Sequence, residues 1–368
     1  MSRIYLDWNA TAQIRPEVIS LVTKIMGEVG NASSVHDCGR RARKYVEGAR
    51  TQIAKLCDTS PEQVVFTSGA TESINTVLSG FRNKRVLISA IEHPAVIAAA
   101  GTSAEKIPVT SDGVIDMQTY EKMLNEGEPP ALVSVMLVNS ETGVIQPIAE
   151  MVKMAHSKGA LFHTDAVQGA GRIDISINTL NADYISLSAH KMSGPQGVGA
   201  IIFREGLEVP KFMLGGGQEK NCRAGTHNTA GIAGMGLAAE MALEHMPHYT
   251  AIEKMRDAME NEIRSFTNKA VIYGANAPRV GNTCNVGLNG LPAQTQMMAL
   301  DLDGICVSSG SACSSGAFKA SHVLTAMGAN DEDAKCALRI SLGYATTQAD
   351  IDAFLESWKK IVKRHAEN

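Results

Sequence analysis

Several features that would place a chain in a specialised class are missing here. Strong charge of either sign is absent: 34 basic against 38 acidic side chains leave a formal net charge of −4 over 368 residues. No bulk attraction to nucleic acid or to an anionic membrane surface is therefore expected. The seven cysteines show neither a CxxC pair nor metal-type spacing. An odd count in a large chain predicts reduced thiols rather than a disulfide framework, and no metal site is expected. Apolar runs of the ~18 residues needed to span a membrane are lacking. Charged Asp7, Arg15 and Glu17 precede any long apolar stretch, so no signal peptide is expected and a cytoplasmic location is. Internal repeats, linkers and low-complexity tails are lacking too.

What is present reads as an α/β enzyme. Apolar residues make up 44% and charged residues 20%, an ordinary balance for a soluble globular protein. A chain of this length is too long for one simple core, so two domains are expected. A helix over 16–29 opens on Pro16. A basic amphipathic helix over 39–57 presents Tyr45, Val46, Ile53 and Leu56 as its buried face. Short β-rich runs at 64–67, 85–89, 131–138, 160–163, 184–188 and 199–203 then alternate with helical stretches such as 148–158. This rhythm predicts a mainly parallel sheet flanked by helices. A Gly/Ala/Met-rich helix follows from Ala230 to Glu244, and a longer one over 249–267 leads into a second, smaller α+β domain. That domain carries a strand at 283–288, a Gly/Ser-rich segment at 308–316 and a strand at 338–342 containing Arg339. Its last helix shows Ile351, Phe354, Leu355, Trp358, Ile361 and Val362 at helical period.

In open parallel sheets, ligands sit beyond the carboxyl ends of the strands. His93, Asp165, Gln168, Ser188, His190 and Lys191 all fall at such ends. A lysine at the end of a buried strand is costly as a cation. If it loses its proton it becomes a nucleophile that forms a Schiff base with a carbonyl cofactor. The strand at 64–67 runs into Ser68-Gly69-Ala70-Thr71 and then a helix. That geometry aims backbone N–H groups at an anion, with the Thr71 hydroxyl as a further donor. Simple capping by Ser68 or Thr71 is the alternative. A lysine, an aspartate able to keep a ring nitrogen protonated, an imidazole to stack on a ring and a phosphate cradle together match pyridoxal phosphate.

Cys313 lies among glycines, serines and an alanine, a composition that predicts a flexible loop. Inert packing suits Cys57, Cys284, Cys306 and Cys336, which lie in apolar or helical contexts, better than it suits Cys313. No Lys or Arg stands between Gly281 and Phe318, so any help in forming a thiolate must come from the folded site or the substrate.

The motifs YLDWNAT, NASSVHDCGRRAR, FTSGATES, EHPAV, HTDAVQ, SLSAHKMSGPQGVGA, GGGQE with RAGTHN, SSGSACSSG and RISLGYATT occur in this order nearly end to end. In them the chain resembles the cysteine desulfurases of the NifS/IscS-like group, class V aminotransferases among the fold-type I pyridoxal-phosphate enzymes. The resemblance implies a large cofactor-binding domain over 12–247 and a small domain over 248–368 joined by 1–11. It implies Lys191 as the Schiff-base lysine, Asp165 on the pyridine nitrogen, Gln168 on the ring hydroxyl and His93 stacked on the ring and aiding proton transfer. Ala70, Thr71, Ser188 and His190 would hold the phosphate. Thr226 would reach the phosphate of a neighbouring subunit, which implies a homodimer. Arg339 would clamp the substrate carboxylate, and Cys313 would take sulfur from L-cysteine as a persulfide, leaving L-alanine. A sulfur-acceptor protein, such as an iron–sulfur scaffold or a thiolation carrier, would be the partner. The family usually has an asparagine three residues before the glycine of its acidic-x-Gly motif; Ser140 stands there in this chain. The competing expectations are a selenocysteine lyase, another class V transferase, and a catalytically idle sulfur-relay protein.

Overall fold

The computed structural model describes residues 3–310 and 319–367. Its strands, in chain order, are β1 Ile4–Tyr5, β2 Val64–Thr67, β3 Val86–Ser89, β4 Glu105–Ile107, β5 Leu132–Ser134, β6 Leu161–Asp165, β7 Tyr184–Ser188, β8 Gly199–Phe203, β9 Ala270–Ile272, β10 Thr283–Leu288, β11 Ile305–Cys306, β12 Ser308–Ser309 and β13 Ala337–Ser341. A seven-stranded sheet runs in the order β2-β8-β7-β6-β5-β3-β4. The pairs from β7 through β6, β5 and β3 to β4 are parallel, whereas β8 is antiparallel to both β7 and β2. Two reversals restore the direction, so β2 points the same way as β7. The carboxyl ends of β2, β3, β5, β6 and β7 therefore open on one edge of the sheet. This agrees with the mainly parallel α/β sheet expected from the alternating pattern.

Helices cover both faces, so β7 and most of its neighbours are buried along their whole length. This explains why these strands read as continuous apolar runs rather than as alternation. The Asp37–Leu56 and Thr229–His245 helices pack closely against each other. Gly236 sits where any Cβ would meet Ala49, so the small-residue pattern of the second helix serves close approach.

A second core gathers around Trp358, Phe354, Ile263, Leu338 and Ile340. It is built on the antiparallel sheet β12-β13-β10-β9 and closed by the Gln348–Ala366 helix. The N-terminal segment belongs with this core: β1 pairs with β11, and Leu6 is fully buried in it.

Two element expectations need correction. The helix begun at Pro16 ends at Met26, where Gly27 caps it, rather than at 29. The strand expected over 131–138 is regular only across Leu132–Ser134. Beyond it, the Met136 N–H donates to the Glu92 carboxylate at 2.7 Å, which takes that residue out of the ladder. The short strands β4 and β9 and the Met117–Asn125 helix have apolar signals too brief to stand out before folding.

Gly199 opens β8 directly against the turn after β2. A Cβ there would lie 2.6 Å from the Gly69 backbone and from the Leu187 carbonyl, and neither can move without breaking the sheet edge. Gly199→Ala is expected to cost about 1–3 kcal/mol of stability by overpacking, read as a lower midpoint in urea unfolding.

Candidate active site

A cavity of about 880 Å³ opens along the carboxyl edge of the large sheet. Ala70, Thr71, His93, Asp165, Gln168, Ser188, His190, Lys191 and Arg339 all line it. The sequence-predicted residues from distant parts of the chain thus converge, because successive parallel strands deliver their ends to one edge. Thr226 lies apart. It is exposed and lines a smaller cavity with Ser68, Gly197 and His227. Cys313 falls outside the described residues; the segments before and after it, Ser308–Gly310 and Lys319–Val323, line the main cavity.

Lys191 follows β7 in a single 3₁₀ turn. Its Nζ donates to the backbone carbonyls of Asn9 at 2.5 Å and Ala10 at 2.8 Å. Burial, helped by the guanidinium groups of Arg339 and Arg172, pulls its pKa from 10.5 to about 8, against the pull of Asp165 and Asp7. The amine is close to the neutral form that attacks a carbonyl.

Asp165 ends β6, is buried, and accepts one backbone hydrogen bond, from Val167 at 3.0 Å. Burial pushes its pKa up, and His93 and Lys191 oppose that. The carboxyl lacks a strong cationic partner, and a protonated ring nitrogen would supply one. Gln168 donates through Nε2 to the Asn9 carbonyl, while its buried Oε1 has no partner. An unpaired buried acceptor costs about 1–3 kcal/mol, so a hydroxyl donor belongs there.

His93 caps the Pro94–Ala100 helix, with Nδ1 accepting from the Ala95 N–H at 3.1 Å. This leaves Nε2 to carry the proton of a neutral ring. Its surface is open to the cavity, yet the surrounding walls lower its pKa by desolvation. His190 is likewise held neutral, at about 4, by burial and by Lys191 beside it; its Nδ1 meets the Thr11 hydroxyl at 3.1 Å. At the other end, the Ala70–Ser79 helix starts directly behind Gly69. Ser188 and the exposed Thr71 hydroxyl lie on the same cavity wall. A backbone-donor helix start, two hydroxyls, a carboxylate, an unsatisfied amide oxygen and a near-neutral amine fit pyridoxal phosphate as a donor set.

Arg339 projects from β13. Its Nη2 pairs with Asp7 Oδ1 at 2.7 Å, its Nη1 donates to the Ser140 carbonyl at 3.3 Å, and its buried Nε has no partner. Ser140 itself lines the cavity. The adjacent Asn139 is committed to the turn, accepting from the Glu141 and Thr142 N–H groups and the Thr142 hydroxyl.

A family model described as Aminotransferase class-V matches residues 4–354. The chain belongs to this family. Within it, a cysteine desulfurase of Enterobacter agglomerans is 37% identical, covering 99% of this chain and 94% of the relative. One of Cereibacter sphaeroides is 39% identical over 98% of this chain and 96% of its own length. The solved structure of a NifS-like protein from Rickettsia africae is similar at a TM-score of 0.92, with 36% identity over 98% of this chain and 99% of that one.

As a class V aminotransferase-family protein, the chain also carries site residues that pattern reading passed over. Glu92 is fully buried, accepts from Ser89 and Met136 through Oε1, and leaves Oε2 unpaired; burial pushes it up to about 8. Glu141 is buried, with Oε2 accepting from Ser321 at 2.6 Å. Asn9 joins Lys191, Gln168 and Arg172. Their signal was position: Glu92 precedes His93, Glu141 follows Ser140, and Asn9 lies in the YLDWNAT motif.

The loop that bears Thr226 is anchored by Glu219. Residues Glu219, Lys220 and Asn221 all adopt positive φ, which is strained for side chains with a Cβ. Bidentate pairing of Arg50 with the Glu219 carboxylate at 2.8 Å, and a bond from the Phe66 N–H at 2.7 Å, hold the strained turn.

Two outcomes follow. In the cofactor-free protein, competitive acylation of Lys191 is expected to titrate near pH 8, and Arg339→Ala should move that midpoint upward by removing a facing cation. Peptide mapping after pulse labelling reads it. Burial alone would raise the Glu219 pKa, but hydrogen bonds from Arg50 and His227 outweigh it and hold the carboxyl at about 2 instead of 4.5. Its stabilisation is therefore complete above pH 4.5 and fades as pH falls toward 2. Arg50→Ala leaves that carboxylate buried and is expected to cost about 3–5 kcal/mol, measured by chemical denaturation at neutral pH.

Proposed function

We propose that the protein is a pyridoxal-phosphate-dependent cysteine desulfurase. The observation that carries this reading is the convergence of Lys191, Asp165 and Arg339 on one cavity whose rim includes both flanks of the segment containing Cys313. Bound pyridoxal phosphate would supply a carbonyl that captures an amine and a ring that takes up the electron pair released at the substrate α-carbon. Asp165 would keep a proton on the ring nitrogen, Gln168 would accept from the ring hydroxyl through its unpaired Oε1, and His93 would cover one ring face. Ala70, Thr71, Ser188 and His190 would hold the phosphate. Thr226, outside the cavity of its own chain, suits contact with a partner subunit's phosphate in a homodimer.

The remaining steps fall to the chain. Arg339 receives the L-cysteine carboxylate, and its unpaired Nε and its orientation by Asp7 and Ser140 favour that task. Lys191, with its pKa near 8, removes the α-proton and returns one to carbon. The Cys313 thiolate attacks the substrate sulfur, the C–S bond breaks with its electron pair moving to the carbon side, and alanine leaves. The sulfur stays on Cys313 as a persulfide, to be passed to an acceptor protein such as an iron–sulfur scaffold. In this scheme residues 12–247 form the cofactor domain and 248–368 with 1–11 the smaller one, a division supported by the placing of Leu6 in the core with Trp358. No helix of the described residues is long and apolar enough to cross a membrane, and we assign the enzyme to the cytoplasm.

The test is production of alanine and sulfide from L-cysteine with a dithiol reductant. Wild type is expected to make both in equal amounts. Cys313→Ser should keep the cofactor absorbance and lose both products, and Lys191→Ala should fall by about 10²–10⁴-fold. Undiminished alanine formation by Cys313→Ser would overturn the nucleophile assignment.

A further inference from the structure

A second cavity, of about 350 Å³, lies on the other side of Lys191. It is walled by Arg15, Arg172, His245, His248, Tyr249 and Tyr344, among others, and none of the described residues lining it is acidic. Lys191 is common to both cavities.

The cations here lack counter-ions. Arg172 is 6% exposed, and its guanidinium donates to Asn9 Oδ1 at 2.9 Å and lies near the Tyr249 side chain. Its Nε has no partner, and among the described residues it makes no ion pair. The charged groups that act on it among the described residues are other cations, Arg339 and Lys191. Arg15 lies with its guanidinium 4.2 Å from the Tyr344 ring centroid and also makes no ion pair among the described residues. Burying a guanidinium without a carboxylate costs several kcal/mol, and proteins ordinarily pair such a charge. Every other deeply buried arginine described as ion-paired here has its carboxylate: Arg50 has Glu219, Arg256 has Asp257, and Arg279 has Glu260. Arg339, which faces the main cavity, has Asp7; among the described residues Arg172 is the buried arginine without a carboxylate.

We propose that this second cavity binds a small organic anion, a carboxylate with a flat apolar body, between Arg172 and Arg15. The guanidinium groups suit a carboxylate, and the walls of Trp8, Tyr249 and Tyr344 suit an apolar ring or chain. The volume lies at the small end of ligand cavities. The site does not depend on the desulfurase reading, since no reacting group but Lys191 touches it. An anion bound there would offset Arg172, one of the charged groups facing the Lys191 amine along with Arg339, Asp165 and Asp7, so occupancy would be felt in the main cavity.

The probe is 4-fluorobenzoate, titrated against the cofactor-loaded protein by ¹⁹F NMR. Wild type is expected to bind it saturably with one site per chain. Arg15→Gln and Arg172→Gln should each weaken binding about tenfold or more, the loss of one charge-assisted contact. Arg339→Ala, in the main cavity, should leave it within about twofold. If Arg172→Gln does not fold, Arg15→Gln decides, because its side chain is only half-buried. Absence of saturable binding by wild type, or binding lost in Arg339→Ala and kept in Arg15→Gln, overturns the proposal.

Discussion

The carbonyl oxygen of Asn9 receives the Lys191 amine and the Gln168 amide together, at 2.5 and 3.0 Å. The Asn9 side chain finishes the join: Oδ1 accepts from Arg172 and Asn282, and Nδ2 donates to the Ser140 carbonyl and the Thr283 hydroxyl. Its N–H donates to the Ser341 hydroxyl. A single residue thereby ties the ends of β6 and β7 to β10 and β13 in the other sheet. Each bond is worth only about 1 kcal/mol net, but most are buried, and a half-satisfied network is costlier than an apolar one. Asn9 holds them because asparagine carries a donor and an acceptor on one short stem, in addition to its backbone.

Around this join the site is a balance of unlike charges in a largely buried place. At Lys191, burial and the cations Arg339 and Arg172 lower the pKa while Asp165 and Asp7 raise it. Glu92 and Glu141 are buried deeply enough that their pKa values rise, which limits the negative charge they add. The outcome is an amine poised near neutrality beside a carboxyl in want of a cation. Such opposed shifts are the signature of groups arranged for chemistry rather than for stability.

The large sheet explains why these groups meet. Its parallel strands send five chain turns to one edge, and the antiparallel β8 lets β2 bring its helix start to that edge as well. The Arg50–Glu219 pair then pins the strained turn at Glu219–Asn221 against β2, which fixes the loop bearing Thr226 beside Ser68 and Gly197. Specific charge pairing here replaces the apolar contacts that a glycine-rich segment cannot make.

By itself the sequence determined a mainly parallel α/β sheet, most of its alternating β and α segments and the polar residues at its strand ends, because apolar runs bounded by turns depend on local chemistry alone. His93, Asp165, Gln168, Ser188, His190 and Lys191 were legible for that reason, and Arg339 through the family resemblance. So was the family, from motifs spread along the chain. The tertiary structure decided the rest. That Asn9 would become a shared acceptor, that Glu92 would draw Met136 out of its ladder, and that Arg172 would be buried without a carboxylate all depend on contacts between residues far apart in the chain. No local pattern records such partners. Burial, which sets the pKa values of Lys191 and Asp165, exists only once the two sheets have closed on each other.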